Sequence, residues 1–168
     1  MGDRGSILAV DKYESKLNLI KTGCERLGIR NVEAIIGDAN ELQTAPADRV
    51  LVDVPCSGLG VLRKKPDMKW KREPDDIPRL ARQQLQLLES AARLLKPGGV
   101  IVYSTCTTEP EENGDVVRKF LALHPGFRID HAANFVNKSL VSDDGCVETL
   151  PHRHHIDGSF AARLVNLP

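Results

Sequence analysis

The chain has 168 residues, 41% of them hydrophobic, which is enough for one domain with an apolar core. Its 23 basic and 23 acidic residues balance, so any contact with nucleic acid requires a local basic patch. The four cysteines form no Cys-x-x-Cys pair, which excludes a zinc ribbon and a small disulfide scaffold. No segment approaches the roughly 20 apolar residues of a membrane span, so we expect a cytoplasmic protein without a membrane partner.

Short β-rich runs alternate with longer stretches of helical periodicity, which predicts an α/β fold with helices on both faces of a parallel sheet. "SILAVD" predicts the first strand, which ends at Asp11, and the amphipathic helix that follows stops at Gly28. "NVEAIIGD" predicts the second strand, which ends at Asp38. The nearly unbroken apolar run of "DRVLVDVP" predicts a third, buried strand that Pro55 ends.

The second half of the chain continues this alternation. Apolar spacing predicts a long amphipathic helix from Ile77 to Leu95, closed by "KPGG". "VIVYSTC" predicts the fourth strand, which ends at Cys106, and another helix is predicted from Glu111 to Leu123. "FRID", "CVETL" and "GSFAARLVNL" are candidates for a closing antiparallel hairpin. We therefore expect one domain over residues 1–168.

Five polar or reactive residues lie at or near the ends of the four predicted strands: Asp11, Asp38, Asp53, Cys56 and Cys106. Ligands of open α/β sheets bind beyond the carboxyl ends of the strands. A single aspartate there is commonly a turn or helix-cap residue, and a single cysteine is commonly a small buried hydrophobe. Five such residues at one predicted edge indicate a functional site instead.

Two cysteine motifs give the chain a family resemblance. "DVPCSGLG" contains Cys56, and "YSTCTTEPEEN" contains Cys106. Together with "GVLRKKPDMKWKR" and "LPHRHHIDGSFAARL", these motifs resemble the RNA cytosine-C5 methyltransferases of the Sun/NOP2 (Fmu) family along nearly the whole chain. The resemblance implies a Rossmann-like fold, S-adenosylmethionine (SAM) as cofactor, and bacterial 16S ribosomal RNA as substrate.

The resemblance also implies a role for each residue of the predicted catalytic centre. C5 of cytosine is a poor nucleophile, so addition of a thiolate at C6 is expected to activate it. The family pattern assigns this nucleophile to Cys106 and assigns release of the methylated base to Cys56. It places Asp53 against the base near N3 and beside the cofactor.

Two further aspartates match the cofactor-binding positions of the family. Asp11 corresponds to the acidic residue that accepts hydrogen bonds from both ribose hydroxyls, a role that suits a carboxylate. Asp38, in "GDAN", corresponds to the aspartate beside the adenine amino group. A helix N-cap stays open as the alternative role of Asp38.

Basic residues cluster in "RKKPDMKWKR" between Arg63 and Arg72, with Trp70 among them. Such a run usually marks a solvated surface. Beside a catalytic loop it can instead hold RNA phosphates while the aromatic ring packs on a base. The RNA-binding interpretation selects four side chains: Arg63, Lys64, Lys65 and Lys69. "HRHH" completes no metal-ligand spacing, so no metal site is predicted.

The start of the chain departs from the family pattern. Family members carry a strand and a glycine-rich "PGGKT"-type loop just upstream of a stretch like "MGDRGSILAVD", and "GDRG" does not follow a strand. We therefore expect the carboxyl-terminal portion of a catalytic domain that lacks its first strand and is inactive on its own. A noncatalytic RNA-binding or cofactor-binding module is the alternative.

The first strand of this fold would lie centrally, between the strand ending at Asp11 and the strand containing Asp53. Its absence would leave backbone groups unpaired, at roughly 1 to 3 kcal/mol for each buried group. Three arrangements avoid that cost: direct pairing of the two strands, strand sharing in a homo-oligomer, or displacement of the segment through Asp38.

Overall fold

The computed structural model describes residues 4–167, so the "GDRG" segment and the ends of the predicted 1–168 domain lie partly outside the described residues. The fold divides into two compact units, Met1–Gln43 and Thr44–Pro168, and each is described by itself. A single domain over the whole chain stays a prediction. None of the helices within residues 4–167 combines the length and the hydropathy needed to span a membrane.

The first unit consists of two parallel strands joined by a helix. β1 (Ile7–Asp11) and β2 (Val32–Ile36) pair along their full length. Between them, α1 (Glu14–Leu27) ends where Gly28 adopts a left-handed φ of 68° and donates its amide to carbonyls of the last turn. The predicted strand, helix and helix end are confirmed, while β2 stops two residues before Asp38.

The second unit is built on five strands: β3 (Ala47–Asp53), β4 (Leu95–Thr105), β5 (Phe127–Ile129), β6 (Val147–Thr149) and β7 (Ser159–Asn166). They form one sheet in the order β3-β4-β7-β5, with β6 also pairing with β7. β3 and β4 are parallel, and β7 runs antiparallel to each of its partners. The predicted antiparallel strands near the carboxyl end are thus confirmed, with β7 as their centre.

Within residues 44–167, three α-helices accompany this sheet: α2 (Asp76–Arg93), α3 (Gly114–Leu123) and the short α4 (Pro151–His154). α2 buries a stripe at three- and four-residue spacing, as its amphipathic pattern predicts. The core cluster joins this stripe to α3 and to the inward residues of the sheet, and its most buried members include Leu88, Ile101, Tyr103, Phe120 and Leu164.

"KPGG" does not close α2, so that prediction was wrong. The helix ends at Arg93, and the "KPGG" segment, residues 96–99, already belongs to β4. The β3–β4 register shifts between Ala47 and Arg49, and Gly98 there adopts a φ of 74°. Glycine tolerates this left-handed conformation, so the segment forms a bulge at the start of the strand.

The helix predicted from Glu111 begins later than its apolar pattern indicates. Residues 110–112 form a 3-10 turn, and α3 starts at Gly114. Asn113 separates the two because its φ of −110° and ψ of −104° are not helical. Its side chain bonds to the segment around Cys106 instead.

The strand ladders leave one side of β1 and one side of β3 without a hydrogen-bonded strand partner in residues 4–167. β1 pairs with β2 and β3 pairs with β4. Direct pairing of β1 with β3, one of the three predicted arrangements, is therefore absent from the part of the chain that the structure describes.

Candidate active site

Two thiols meet beyond the carboxyl ends of β3 and β4. Asp53 and Ser104 are paired at the end of this parallel ladder, and Cys56 and Cys106 follow a few residues later. The Sγ atoms of the two cysteines lie 3.2 Å apart, and the backbone amide of Cys106 points to the Cys56 sulfur at 3.3 Å. The structure thus brings together the two cysteines that the motifs predicted.

The two thiols differ in environment. Cys56 is half-buried, whereas Cys106 is exposed. Burial, followed by the hydrogen bond with Cys106, raises the pKa of the Cys56 thiol from 9.0 to about 12. Cys56 therefore stays protonated at neutral pH and can donate its S–H to the Cys106 sulfur.

Asp53 ends β3 with an exposed side chain. The Ser104 hydroxyl donates to its Oδ1 atom at 3.0 Å. This bond links the ends of the two strands that lead to the cysteines. A carboxylate keeps further acceptor sites after accepting one hydrogen bond, so Asp53 can still accept from a ligand.

The Cys56 loop, residues 54–60, is fixed through its backbone by two side chains for which the sequence predicted no role at this loop. Gln84 of α2 donates to the Pro55 carbonyl at 2.9 Å. Arg72 donates to the Ser57 carbonyl at 2.8 Å and to the Cys56 carbonyl at 3.4 Å. Three successive carbonyls are thereby satisfied, which holds the loop in one conformation.

A sequence signal for one of these side chains was present. Gln84 lies four residues from Leu80 and from Leu88, on the stripe that α2 buries. A polar residue at an apolar register position requires hydrogen-bond partners, and here the partners are at the candidate site.

The segment after Cys106 contributes two more side chains to the site. Glu112 is completely buried, and its Oε2 atom accepts from the Ser57 amide at 2.9 Å and from Gln84 Nε2 at 2.8 Å. Asn113 donates to the Thr107 carbonyl at 3.0 Å and accepts from the Thr105 hydroxyl at 2.6 Å. Sequence reasoning quoted both residues in a motif and gave neither a role.

Two glycines let the Cys56 loop fold against the Cys106 segment. Gly58 has a φ of 74°, which favours glycine. Gly60 donates its amide to the Cys106 carbonyl at 3.1 Å and accepts from the Gly158 amide at 2.8 Å. A Cβ atom on Gly60 would lie 2.2 Å from the Gly158 carbonyl oxygen, so only glycine fits there.

In the first unit, the two predicted cofactor aspartates lie at one edge of the β1–β2 sheet. Asp11 ends β1, accepts from the Tyr13 amide at 2.9 Å and pairs with Lys16 at 3.4 Å. Asp38 accepts from the Asn40 amide at 2.9 Å, and its bond with Lys12 holds the pKa of the carboxyl below its usual value. Asp38 begins a turn rather than a helix, so the N-cap alternative is wrong.

The predicted RNA-binding side chains fall into two groups. Arg63 and Lys64 share the carboxylate of Asp157, at 3.5 Å and 2.5 Å. Lys69 lies 5.1 Å from the centroid of the Trp70 ring, which is 81% exposed, and Lys65 is also exposed.

Within residues 4–167, no group of three or more histidine, cysteine or acidic side chains is arranged to hold a metal ion. One histidine of "HRHH" takes part in local structure. His154 accepts from the Leu150 amide at 2.9 Å, and its other ring nitrogen lies 3.1 Å from the Ser139 carbonyl.

Comparison with curated proteins finds relatives across nearly the whole chain. The chain is 41% identical over 167 residues to the "Probable ribosomal RNA small subunit methyltransferase B" of Bacillus subtilis, an alignment that covers 95% of the chain and 37% of that protein. It is 37% identical over 163 residues to the ribosomal RNA small subunit methyltransferase B of Shewanella oneidensis, again covering 95% and 37%. The chain thus spans less than half the length of these relatives.

Solved structures confirm the Rossmann-like methyltransferase fold class. NSun6 of Pyrococcus horikoshii, solved with SFG, superposes with a TM-score of 0.86 at 31% identity, over 99% of this chain and 42% of that chain. A methyltransferase homologue from the same organism gives 0.83 at 28%, covering 98% and 54%. The family model described as "16S rRNA methyltransferase RsmB/F" matches residues 1–165. The chain therefore belongs to the RsmB/F family of 16S rRNA methyltransferases.

Proposed function

We propose that this protein methylates C5 of a cytosine in 16S ribosomal RNA, with SAM as the methyl donor. The observation that carries the proposal is the pair of thiols 3.2 Å apart at the ends of β3 and β4. The names of the curated relatives support ribosomal RNA of the small subunit as the substrate. NSun6 solved with SFG, an analogue of SAM, supports the cofactor.

In the proposed reaction, the Cys106 thiolate forms a bond to C6 of the cytosine. The electron pair displaced from the ring makes C5 nucleophilic, and Asp53 hydrogen-bonds the base near N3. Bound SAM would supply an electrophilic methyl group to C5 and would leave as the neutral thioether. Loss of the C5 proton to solvent and cleavage of the Cys106–C6 bond then restore the aromatic ring, and the departing Cys106 sulfur takes a proton from Cys56.

The unequal environments of the two thiols support this division of roles. Cys106 is exposed, so a base can reach it. Cys56, with its pKa raised to about 12, is a proton donor at neutral pH rather than a nucleophile. A proton given to the Cys106 sulfur as it leaves C6 assists release of the product.

The polar groups of the first unit fit the cofactor by their chemistry. Asp11 and Asp38 each retain acceptor sites beyond those used by a backbone amide and a lysine. We assign Asp11 to the ribose hydroxyls and Asp38 to the adenine amino group, with Asp53 as a third cofactor contact.

We assign RNA binding to the segment that follows the Cys56 loop. Exposed Lys65 and Lys69 supply positive charge, and the exposed Trp70 ring offers a face on which a base can stack. Arg63 and Lys64 share a single carboxylate, so this pair keeps a net positive charge for phosphate.

The test compares Cys106→Ala and Cys56→Ala in the protein at its natural length, with ribosomal RNA and labelled SAM. We expect Cys106→Ala to abolish methylation and covalent RNA capture. We expect Cys56→Ala to accumulate a protein–RNA adduct on a denaturing gel. Cys24→Ala, in the first unit, is the matched control and keeps normal turnover. Methylation by Cys106→Ala at a near wild-type rate would contradict the assignment.

A noncatalytic RNA-binding module is distinguished by calorimetric titration with SAM, because such a module ignores the cofactor. Inactivity of the isolated 168-residue chain and a strand-sharing homo-oligomer stay predictions. Size-exclusion chromatography and the same methylation assay address them.

A further inference from the structure

The two cysteine segments are joined by side chains beyond the point where the β3–β4 ladder ends. The ladder closes at Asp53 and Ser104, so strand pairing does not reach either cysteine. The hydroxyls of Ser57 and Thr107, the residues directly after each cysteine, lie 2.8 Å apart and are completely buried. The spacing of the two sulfur atoms therefore depends on how these two segments are held.

Glu112 holds the first segment. Its Oε2 atom accepts from the amide of Ser57, the residue next to Cys56, and from Gln84, which itself donates to the Pro55 carbonyl. One carboxylate oxygen thus fixes both sides of Cys56, directly on one side and through Gln84 on the other.

Asn113 holds the second segment in the same way. Its amide nitrogen donates to the carbonyl of Thr107, and its amide oxygen accepts from the hydroxyl of Thr105. These two threonines flank Cys106. Glu112 and Asn113 are adjacent in the chain. This pair of residues therefore fixes the neighbours of both cysteines.

The buried Glu112 carboxylate lowers the stability of the folded state, and packing alone does not require it. Glu112 is fully buried, and its Oε1 atom has no hydrogen-bond partner among residues 4–167. An unsatisfied buried polar group destabilises the folded state, and an apolar side chain of similar volume avoids that loss. A role of Glu112 in the geometry of the site explains why a carboxylate, rather than an apolar side chain, occupies this buried position.

We propose that Glu112 and Asn113 are positioning residues that set the separation and orientation of the Cys56 and Cys106 thiols. They act through the backbone on each side of the cysteines and do not touch the substrate. The inference rests on the proposed function for the use to which the thiols are put, while the spacing itself is measurable without any methyl transfer.

The spacing is probed with phenylarsine oxide, which forms two As–S bonds to a pair of close thiols and releases water. The assay uses the natural-length protein, and peptide mass spectrometry locates the bridged cysteines. Wild type is expected to form the Cys56–Cys106 bridge. Cys56→Ala leaves one of these thiols and serves as the negative control.

Glu112→Ala is expected to weaken arsenical bridging at least tenfold. It is also expected to lower kcat about 100-fold with little change in KM, because misplacing reactive groups by about 1 Å costs that much. Glu112→Gln keeps one acceptor oxygen and is expected to rescue both readouts. Glu111→Ala, at the exposed neighbouring position, leaves both unchanged.

Thr105→Val is the second variant, in case Glu112→Ala does not fold. It preserves the volume of the side chain and removes the donor to Asn113 Oδ1, so bridging and kcat are expected to fall together by a smaller factor. Wild-type bridging in either folded variant overturns the positioning role. A third outcome separates the two proposals. If the variants lose bridging but the wild-type protein transfers no methyl group to RNA, the proposed function is wrong and the positioning role still holds.

Discussion

Cys56 and Cys106 differ in burial although their sulfur atoms are within 3.2 Å of each other. Gln84 and Arg72 hold the Cys56 loop by donating hydrogen bonds to its backbone carbonyls. A half-buried thiol with a raised pKa beside an exposed thiol suits a proton donor paired with an accessible nucleophile.

The raised pKa of Cys56 predicts a change of stability with pH. Folding raises the pKa of this thiol from its ordinary value of 9.0 to about 12. Between these values the folded state binds more protons, so the free energy of unfolding falls as pH rises. We expect this fall to be shallower in Cys56→Ala, measured by urea unfolding across that window. Equal slopes for Cys56→Ala and wild type would contradict the raised pKa of Cys56.

At the scale of single residues, the sequence was informative where chemistry and strand ends coincide. Cys56, Cys106 and Asp53 were predicted because reactive side chains recur at the carboxyl ends of strands. Glu112 and Gln84 were not, because their importance comes from burial and from bonds across the fold. These two residues are hydrogen-bonded across 28 positions of the chain, and a local sequence pattern does not predict such a contact.

At the scale of elements, the interior of each helix and strand was predictable and some boundaries were not. Apolar periodicity located α1, α2 and the strands, since burial of one face determines that pattern. The "KPGG" segment was misassigned because a glycine pair after a helix also fits a strand bulge. The start of α3 was misplaced because the Asn113 side chain bonds outside the helix.

The contact between the Cys56 loop and the loop before β7 predicts a strong effect of Gly60→Ala. The new methyl group would lie 2.2 Å from the Gly158 carbonyl oxygen and 2.8 Å from the Cys106 carbonyl oxygen. Backbone atoms cannot yield as a side chain can, so we expect a loss of about 1 to 3 kcal/mol in urea unfolding. Gly23→Ala is the matched control, because a Cβ there meets nothing within 4 Å. It lies inside α1, where alanine favours the helix by about 1 kcal/mol, so equal losses in the two variants would refute the explanation.

At the scale of the whole molecule, the two units differ in how much core they contain. Every member of the hydrophobic cluster lies within Thr44–Pro168. Among residues 4–43, Leu17 is the one buried side chain. The sequence did not predict this difference, because strands of similar apolar composition occur in both units and the distribution of burial depends on the fold.

This asymmetry predicts that residues 44–168 unfold cooperatively when produced alone, whereas residues 1–43 do not. A two-stranded sheet with a single buried apolar side chain is marginal in water, while the larger unit contains a continuous core. Thermal unfolding followed by circular dichroism tests both segments, and Leu88→Ala in the larger one is expected to cost about 2 to 5 kcal/mol. All the side chains that hold the two cysteine segments also lie in residues 44–168. That segment is therefore expected to retain the arsenical bridge between Cys56 and Cys106, and loss of the bridge from a cooperatively folded segment would show that residues 1–43 contribute to the spacing.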